Sequence, residues 1–263
     1  MESEIKEAYE ELKRTQEQLV EAEKMKVIGG LASGIAHEVK NPLATILYGI
    51  TYLSDNIDFQ DKKVDMVLAN IKEAVHRASK IITDLLNFSN INKLEKHMEN
   101  LNQLIDKSLQ LTQFQMDKHH IEVIKSFDRT LPKVRVDPNR IEQVLLNLIM
   151  NAVAAMPKGG QLAFTTYATQ MTAKEKEKDL RLKSNGFKDG QEVVIISLED
   201  TGCGIPQEQI NNIFNPFFTT HRSQGGVGLG LTVSRNIMET HGGKIFLENR
   251  KKGGARATLI FKV

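Results

Sequence analysis

A chain of 263 residues with 40% hydrophobic content is long enough to bury a core, and it is better sized for two ordinary domains than for one. Its 35 basic side chains nearly balance 33 acidic ones, which removes the strong field that nucleic acid or an anionic membrane surface would require. One cysteine excludes an internal disulfide framework, no apolar run is long enough to span a bilayer, and the charged amino terminus is not signal-like, so the reading is of a soluble, cytoplasmic chain. A membrane-anchored parent is compatible with it, because the helical pattern starts abruptly.

From Glu2 to about Asn56 the chain reads as a long helix. Ile5, Leu12 and Leu19 recur every seven residues with Ala8, Thr15 and Ala22 between them, which predicts a coiled coil over 1–28. The phase slips around Met25 to Ile28 before apolar residues resume at Leu31, Ile35, Val39 and Ile46. Such a slip is either an imperfect heptad or a place where a signal passes.

Within this helix, His37, Glu38 and Asn41 are followed by Pro42, which removes one backbone hydrogen bond and predicts a kink. An imidazole nitrogen can attack phosphorus, and a carboxylate one residue on can hold the other ring N–H and stabilise developing positive charge. Asn41 lies on the face of Glu38. Taken alone, the string fits a phosphoryl acceptor or a surface histidine on an amphipathic helix.

A polar turn over Asp55 to Asp61 leads to a second helix, in which Val64, Val67, Leu68, Ile71, Val75, Ala78, Ile81, Ile82, Leu85 and Leu86 keep helical spacing. Together the two helices make an antiparallel hairpin over 29–96. A single hairpin cannot bury a stripe this long, so the expected assembly is a homodimer with a four-helix bundle. Polar residues from Leu94 to Asn100 read as the linker to a second domain, 97–263.

That domain alternates in type. Helices are expected over Leu101–Lys118, Asp137–Met156 and Leu229–Thr240. Strands are expected over Ile121–Phe127, Gln161–Thr166, Val193–Asp200, Lys244–Asn249 and Ala255–Phe261. The run predicts an α+β sandwich, a mixed sheet with helices on one face. Asp137-Pro138 is a strong helix start, the acid as cap and proline in the first turn. Thr169 to Gly190 reads as an exposed, charged insertion.

Asn147 and Asn151 are one turn apart on one helix, where asparagine costs propensity. Asp200 ends an apolar strand and enters a turn with Gly202 and Gly204, where an acceptor-only carboxylate can read an exocyclic amine or cap the turn. Phe214, Phe217 and Phe218 precede a segment rich in small and polar residues. Gly226, Gly228 and Gly230 then open a helix whose N–H groups suit phosphate oxygens.

These segments, Asn147-Leu-Ile-Met-Asn151-Ala152, Asp200-Thr-Gly202-Cys-Gly204, Phe214-Asn-Pro-Phe217-Phe218 and Gly226-Val-Gly228-Leu-Gly230-Leu231, stand in one order. They resemble the N, G1, F and G2 boxes of sensor histidine kinases, and the His37 segment resembles their H box. The resemblance covers nearly the whole chain. It implies an ATP-binding domain of the Bergerat type after the dimerising hairpin. By carry-over, Asn151 supplies an oxygen to Mg2+ and Asp200 reads adenine with Thr258 in support. By the same carry-over, Arg222 of the lid between Phe218 and Gly228 either reaches the phosphates or is a solvated lid arginine.

In the gyrase-like hydrolytic relatives, a glutamate that activates water stands where this chain has Asn147. An amide cannot act as that base, so ATP should be bound and poorly hydrolysed. Ala154 and Ala155 replace a lysine and an aromatic residue found in many relatives, a version that looks like the nitrogen-regulation type. The implied activity is autophosphorylation of His37, with Glu38 orienting the ring, and transfer to an aspartate of a response-regulator receiver domain. Asn41 would orient water for the reverse, phosphatase reaction. The rivals are a degenerate nucleotide-binding scaffold and a gyrase-like ATPase.

Overall fold

Charged residues every few positions, interrupted by runs of valine, isoleucine and leucine, divide the chain into segments that form helices and segments that form strands. The computed structural model describes residues 39, 42–54, 62–89, 94–171, 187–219 and 228–263. Chain contacts divide it into two units, Met1–Asn92 and Lys93–Val263. No helix among the described residues is long and apolar enough to cross a membrane.

The first unit contributes α1 (42–54) and α2 (Lys62–Ser89). Ile50, Val75 and Ile82 are buried, while Ile46, Tyr48, Tyr52, Leu53, Met66, Val67 and Ile71 are exposed. The expected coiled coil over 1–28, its phase slip, the segment around His37 and the turn after α1 lie outside the described residues.

The second unit runs β1 (His97–Glu99), α3 (Leu101–Lys118), β2 (Ile121–Phe127), β3 (Val134–Val136), α4 (Pro138–Ala155), β4 (Gly160–Gln170), β5 (Glu192–Asp200), α5 (Gly230–Thr240), β6 (Lys244–Asn249) and β7 (Ala255–Lys262). Five strands make one sheet in the order β2-β4-β5-β7-β6, with β2 parallel to β4 and the other neighbours antiparallel. The expected mixed sheet is therefore present. Alternation gives it two faces. Leu162, Phe164, Ile196, Leu198, Ala257 and Leu259 point to the face covered by the helices. Against them α4 lays Ile141, Val144, Leu145, Leu148 and Ile149, each at most 3% exposed. Burial on this scale stabilises by roughly 1.5–3 kcal/mol per large side chain.

Two expectations need correction. The stretch Leu94–Asn100 is not merely a linker: β1 within it pairs with β3, and the Glu95 N–H donates to Asp137 Oδ2 at 3.0 Å. The charged insertion is also not exposed throughout. Met171 and Phe187, at its two ends, are buried against Val193, Ile195 and Ile260 on the sheet face away from the helices. The apolar ends of the charged stretch pack onto that face, and the ammonium of Lys262 lies 5.5 Å from the Phe187 ring centre.

Candidate functional site

The apolar run of β5 ends at Asp200, which the sheet carries to its helix-covered face, beside the end of α4. Asp200 is 5% exposed, and its Oδ1 accepts N–H groups from Gly202 at 2.8 Å and Ala255 at 3.1 Å. Its Oδ2 takes no hydrogen bond from the described residues. A buried carboxylate with one saturated oxygen and one open oxygen is an acceptor built for a donor from outside.

The loop that follows is pressed onto α4. Cys203 N–H donates to the Ala155 carbonyl at 3.2 Å, satisfying one of the carbonyls that a helix leaves unpaired at its C-terminus. A Cβ on Gly202 would lie 2.6 Å from that same oxygen, so the close approach requires glycine. Gly204 has φ +72, a left-handed conformation that glycine adopts without strain.

One turn of α4 separates Asn147 from Asn151, and the structure gives them different surroundings. Asn147 is half-buried between helices: its Nδ2 donates to Ser234 Oγ at 3.0 Å, and its Oδ1 packs against the Cα of Gly230. Ser234 Oγ donates in turn to the Gly230 carbonyl at 2.9 Å. Asn147 therefore ties the start of α5 to α4, and a side chain at position 230 would have to displace its carboxamide. Asn151 is exposed, and its carboxamide makes no hydrogen bond to the described residues. An exposed, unengaged amide oxygen is of the hard-oxygen type that Mg2+ prefers, alongside phosphate and water.

Residues 220–227, with Arg222 and Gly226, lie outside the description, but both flanks of that segment are placed. Gly228, at φ +75, sits so close to the chain at Phe217 and Phe218 that a Cβ would come 2.5 Å from the Phe217 carbonyl carbon. The two flanks therefore touch. Phe214 anchors one flank: it is buried, the Arg235 guanidinium stacks 4.0 Å above its ring, and its carbonyl accepts from Thr232 Oγ1 at 3.0 Å. Gly230 begins α5, whose N-cap residue Leu229 makes no side-chain cap hydrogen bond; the N–H groups at a helix start suit an anion.

Thr258 does not stand by Asp200. It pairs with Ser197 in the β5–β7 ladder, an odd number of residues from Asp200, and so points to the opposite face of the sheet. The β7 residue beside the Asp200 carboxylate is Ala255, acting through its N–H. His37, Glu38 and Asn41 lie outside the described residues.

Three contributors were not singled out from the sequence. Ser234 is the partner of Asn147, and its only prior signal is its place one turn into α5. Asn249 holds the loop after Asp200, and a polar residue ahead of a Gly-Gly turn was its signal. His241 joins two helix ends: its Nε2 accepts the Asp137 N–H at 2.9 Å, and its Nδ1–H donates to the Ile237 carbonyl at 2.8 Å. Accepting the Asp137 N–H requires the neutral ring with its proton on Nδ1. Burial lowers the pKa of His241, and the charge of Lys96 adds to that against opposing contributions from the Ile237 carbonyl and Asp137.

Comparison with known proteins gives matches in both units. Residues 28–94 match the His Kinase A (phospho-acceptor) domain, and residues 136–263 match the histidine kinase-, DNA gyrase B- and HSP90-like ATPase family. Sensor histidine kinase ZraS of Escherichia coli K12 is 33% identical over 94% of this chain and 48% of its own length. Sporulation kinase A of Bacillus subtilis is 29% identical over 95% of this chain and 37% of its own. The chain thus spans about half the length of the curated relatives it matches first.

Among solved structures, the catalytic domain of histidine kinase ThkA is 32% identical over 64% of this chain and 95% of that domain, with a TM-score of 0.52. ThkA crystallised with the response regulator protein TrrA is 28% identical over 96% of this chain and 66% of that one, with a TM-score of 0.61.

Proposed function

The chain belongs to the sensor histidine kinases of two-component systems, and from that premise we propose that it is an ATP-dependent autokinase with His37 as the phosphoryl acceptor. The observation that carries the reading is the Asp200 carboxylate, engaged on one oxygen and open on the other, at a glycine loop pressed onto the helix that presents Asn151. An open carboxylate oxygen accepts the adenine amine, and the start of α5 faces the phosphates.

In the proposed reaction a ring nitrogen of His37 forms a bond to the γ-phosphorus as the bond to the β-bridging oxygen breaks, releasing ADP. Glu38 holds the second ring N–H and stabilises the developing imidazolium. A divalent cation on the Asn151 oxygen neutralises phosphate charge when bound. Positioning by Asp200, Asn147 and the glycine segment supplies most of the remaining effect.

The phosphoryl group then passes to an aspartate of a response-regulator receiver domain, with Asn41 orienting water for the reverse dephosphorylation of that regulator. ThkA is a relative solved with such a regulator. The reading includes a homodimer built on α1 and α2, and a cytoplasmic location where ATP and the regulator are found.

The test is incubation of the full chain with γ-labelled ATP and Mg2+, wild type beside His37→Gln. Acid-labile, base-stable label on wild type only is expected. Label on both would sink His37 as the acceptor, and steady ATP hydrolysis indifferent to His37→Gln would sink the proposal in favour of a gyrase-like ATPase; bound ATP with no label on either would favour a scaffold. In the same samples Asn41→Ala should keep self-labelling within about twofold and slow regulator dephosphorylation by about tenfold or more, the usual scale for losing one water-orienting group; equal loss of both activities would refute the separate role.

A further inference from the structure

The turn joining β6 to β7 grips the loop after Asp200 at both ends. At one end the Ala255 N–H reaches Asp200 Oδ1, and Arg250 Nη1 donates to the Asp200 carbonyl at 2.5 Å while its Nε is held by Glu199 at 2.9 Å. Gly254, at φ +81, packs directly on that carbonyl, where no Cβ could fit.

At the other end stands Asn249. Its Oδ1 accepts the Ile205 N–H at 2.7 Å, and its Nδ2 donates to the Ile205 carbonyl at 2.6 Å. One carboxamide thereby does for Ile205 what a neighbouring strand would do, supplying an acceptor and a donor in the spacing of a peptide group. The clamp also explains a glycine: a Cβ on Gly204 would lie 2.8 Å from Asn249 Oδ1. Pairing of β6 with β7 at Asn249 and Ala255 runs through the backbone and does not use this side chain, which is exposed. The amide is therefore spent on the loop alone.

We infer that Asn249 is a positioning residue for base selection: by fixing Gly202 to Ile205 it aims the open Oδ2 of Asp200 at an exocyclic amine, and so favours adenine over guanine. A carboxylate repels the guanine carbonyl only when it is held in one place. Without the clamp, the loop and the carboxylate that hangs on the Gly202 N–H can shift to accommodate either base. The inference rests on the reading of Asp200 to Gly204 as the base site of an ATP-binding unit.

The experiment is calorimetric titration of the full chain with ADP and with GDP, in Mg2+, for wild type, Asn249→Ala and Asn249→Ser. Urea denaturation and the labelling rate at saturating ATP are measured alongside. Wild type should prefer ADP. Asn249→Ala should weaken ADP binding about tenfold, the scale of two modest hydrogen bonds, and leave GDP binding within about twofold. The preference then falls by nearly the whole tenfold. The labelling rate at saturation should change by less than about twofold, the mark of a group that acts through binding. Asn249→Ser, a shorter side chain that keeps one hydroxyl, should fall between.

An unchanged ADP-to-GDP ratio in Asn249→Ala would overturn the inference while the base-site reading stands. Equal weakening of both nucleotides with a lowered denaturation midpoint would overturn it by assigning Asn249 to folding. Failure of wild type to bind either nucleotide would remove the base-site reading and the inference with it.

Discussion

In the unit after Asn92 the stripes of α3, α4 and α5 and the inner face of the sheet are buried against one another, although Leu111, Phe114, Ile124 and Met150 stay exposed. In the helical unit before it, Ile46, Leu53, Val67 and Ile71 lie at 36% exposure or more, although they share the spacing of residues that elsewhere form a core. The same kind of amphipathic sequence is thus complete within one chain in the first case and incomplete in the second. Stability should follow that division. The second unit should depend on its own packing and the helical unit, in the proposed dimer, on concentration, because a partner that supplies the missing face adds its binding free energy to folding.

The strongest way to break this comparison is to charge the exposed stripe. Val67→Glu with Ile71→Glu would place two carboxylates at the proposed dimer seam, where each unpaired buried charge costs several kcal/mol. Light scattering at micromolar concentration should find monomer, while ADP titration still reports a working nucleotide site. A dimer unchanged by both charges would move the seam elsewhere.

Leu145→Ala probes the other side. This α4 residue is fully buried, and its truncation should cost about 2–5 kcal/mol of the catalytic unit's stability in urea melts, by lost transfer energy and the cavity left behind. Self-association should be untouched. A loss below about 1 kcal/mol would mean that the core collapses around the gap, as less tightly packed interiors do.

The smallest effect sharpens the comparison by pH. His241 accepts the Asp137 N–H, so it is held neutral and titrates below its ordinary value near 6.5. Above that value neither folded nor unfolded chain binds the proton and the contribution is complete. Between it and the lowered folded value only the unfolded chain binds the proton, and stability declines as pH falls. Urea midpoints of the catalytic unit should therefore drop from pH 7.5 to 5.5, with a smaller drop in His241→Gln. Identical slopes in the two proteins would take His241 out of the account.

Much of this arrangement was legible in the sequence because it rests on local signals. Asp137-Pro138 set the start of α4 to the residue, with Asp137 Oδ1 accepting from Asn139 and Arg140 as a cap should. The β5 run and its terminal Asp200 were readable from unbroken hydrophobicity. What local signals could not give was register. Thr258 and Ala255 differ by three positions in one strand, and only the pairing with β5 determines which of them shares the face of Asp200. The small β1–β3 sheet escaped for a related reason: two three-residue strands have no periodicity of their own and exist because they find each other across the intervening α3 and β2. Asn147 was legible as a chemical type and illegible as a contact, since Ser234 lies on a different helix.

The order of the strands has a consequence for vectorial synthesis. β7 is the last of the five sheet strands in chain order, yet it lies between β5 and β6 inside the sheet. Until Ala255 to Lys262 have emerged, one edge of β5 has no partner, and an unpaired edge of valines and isoleucines is a template for foreign strands. A chain cut short before Ala255 would lose the N–H that steadies Asp200 and keep a sticky, half-paired sheet, so the loop proposed to read the base and protection from aggregation are completed by the same eight residues.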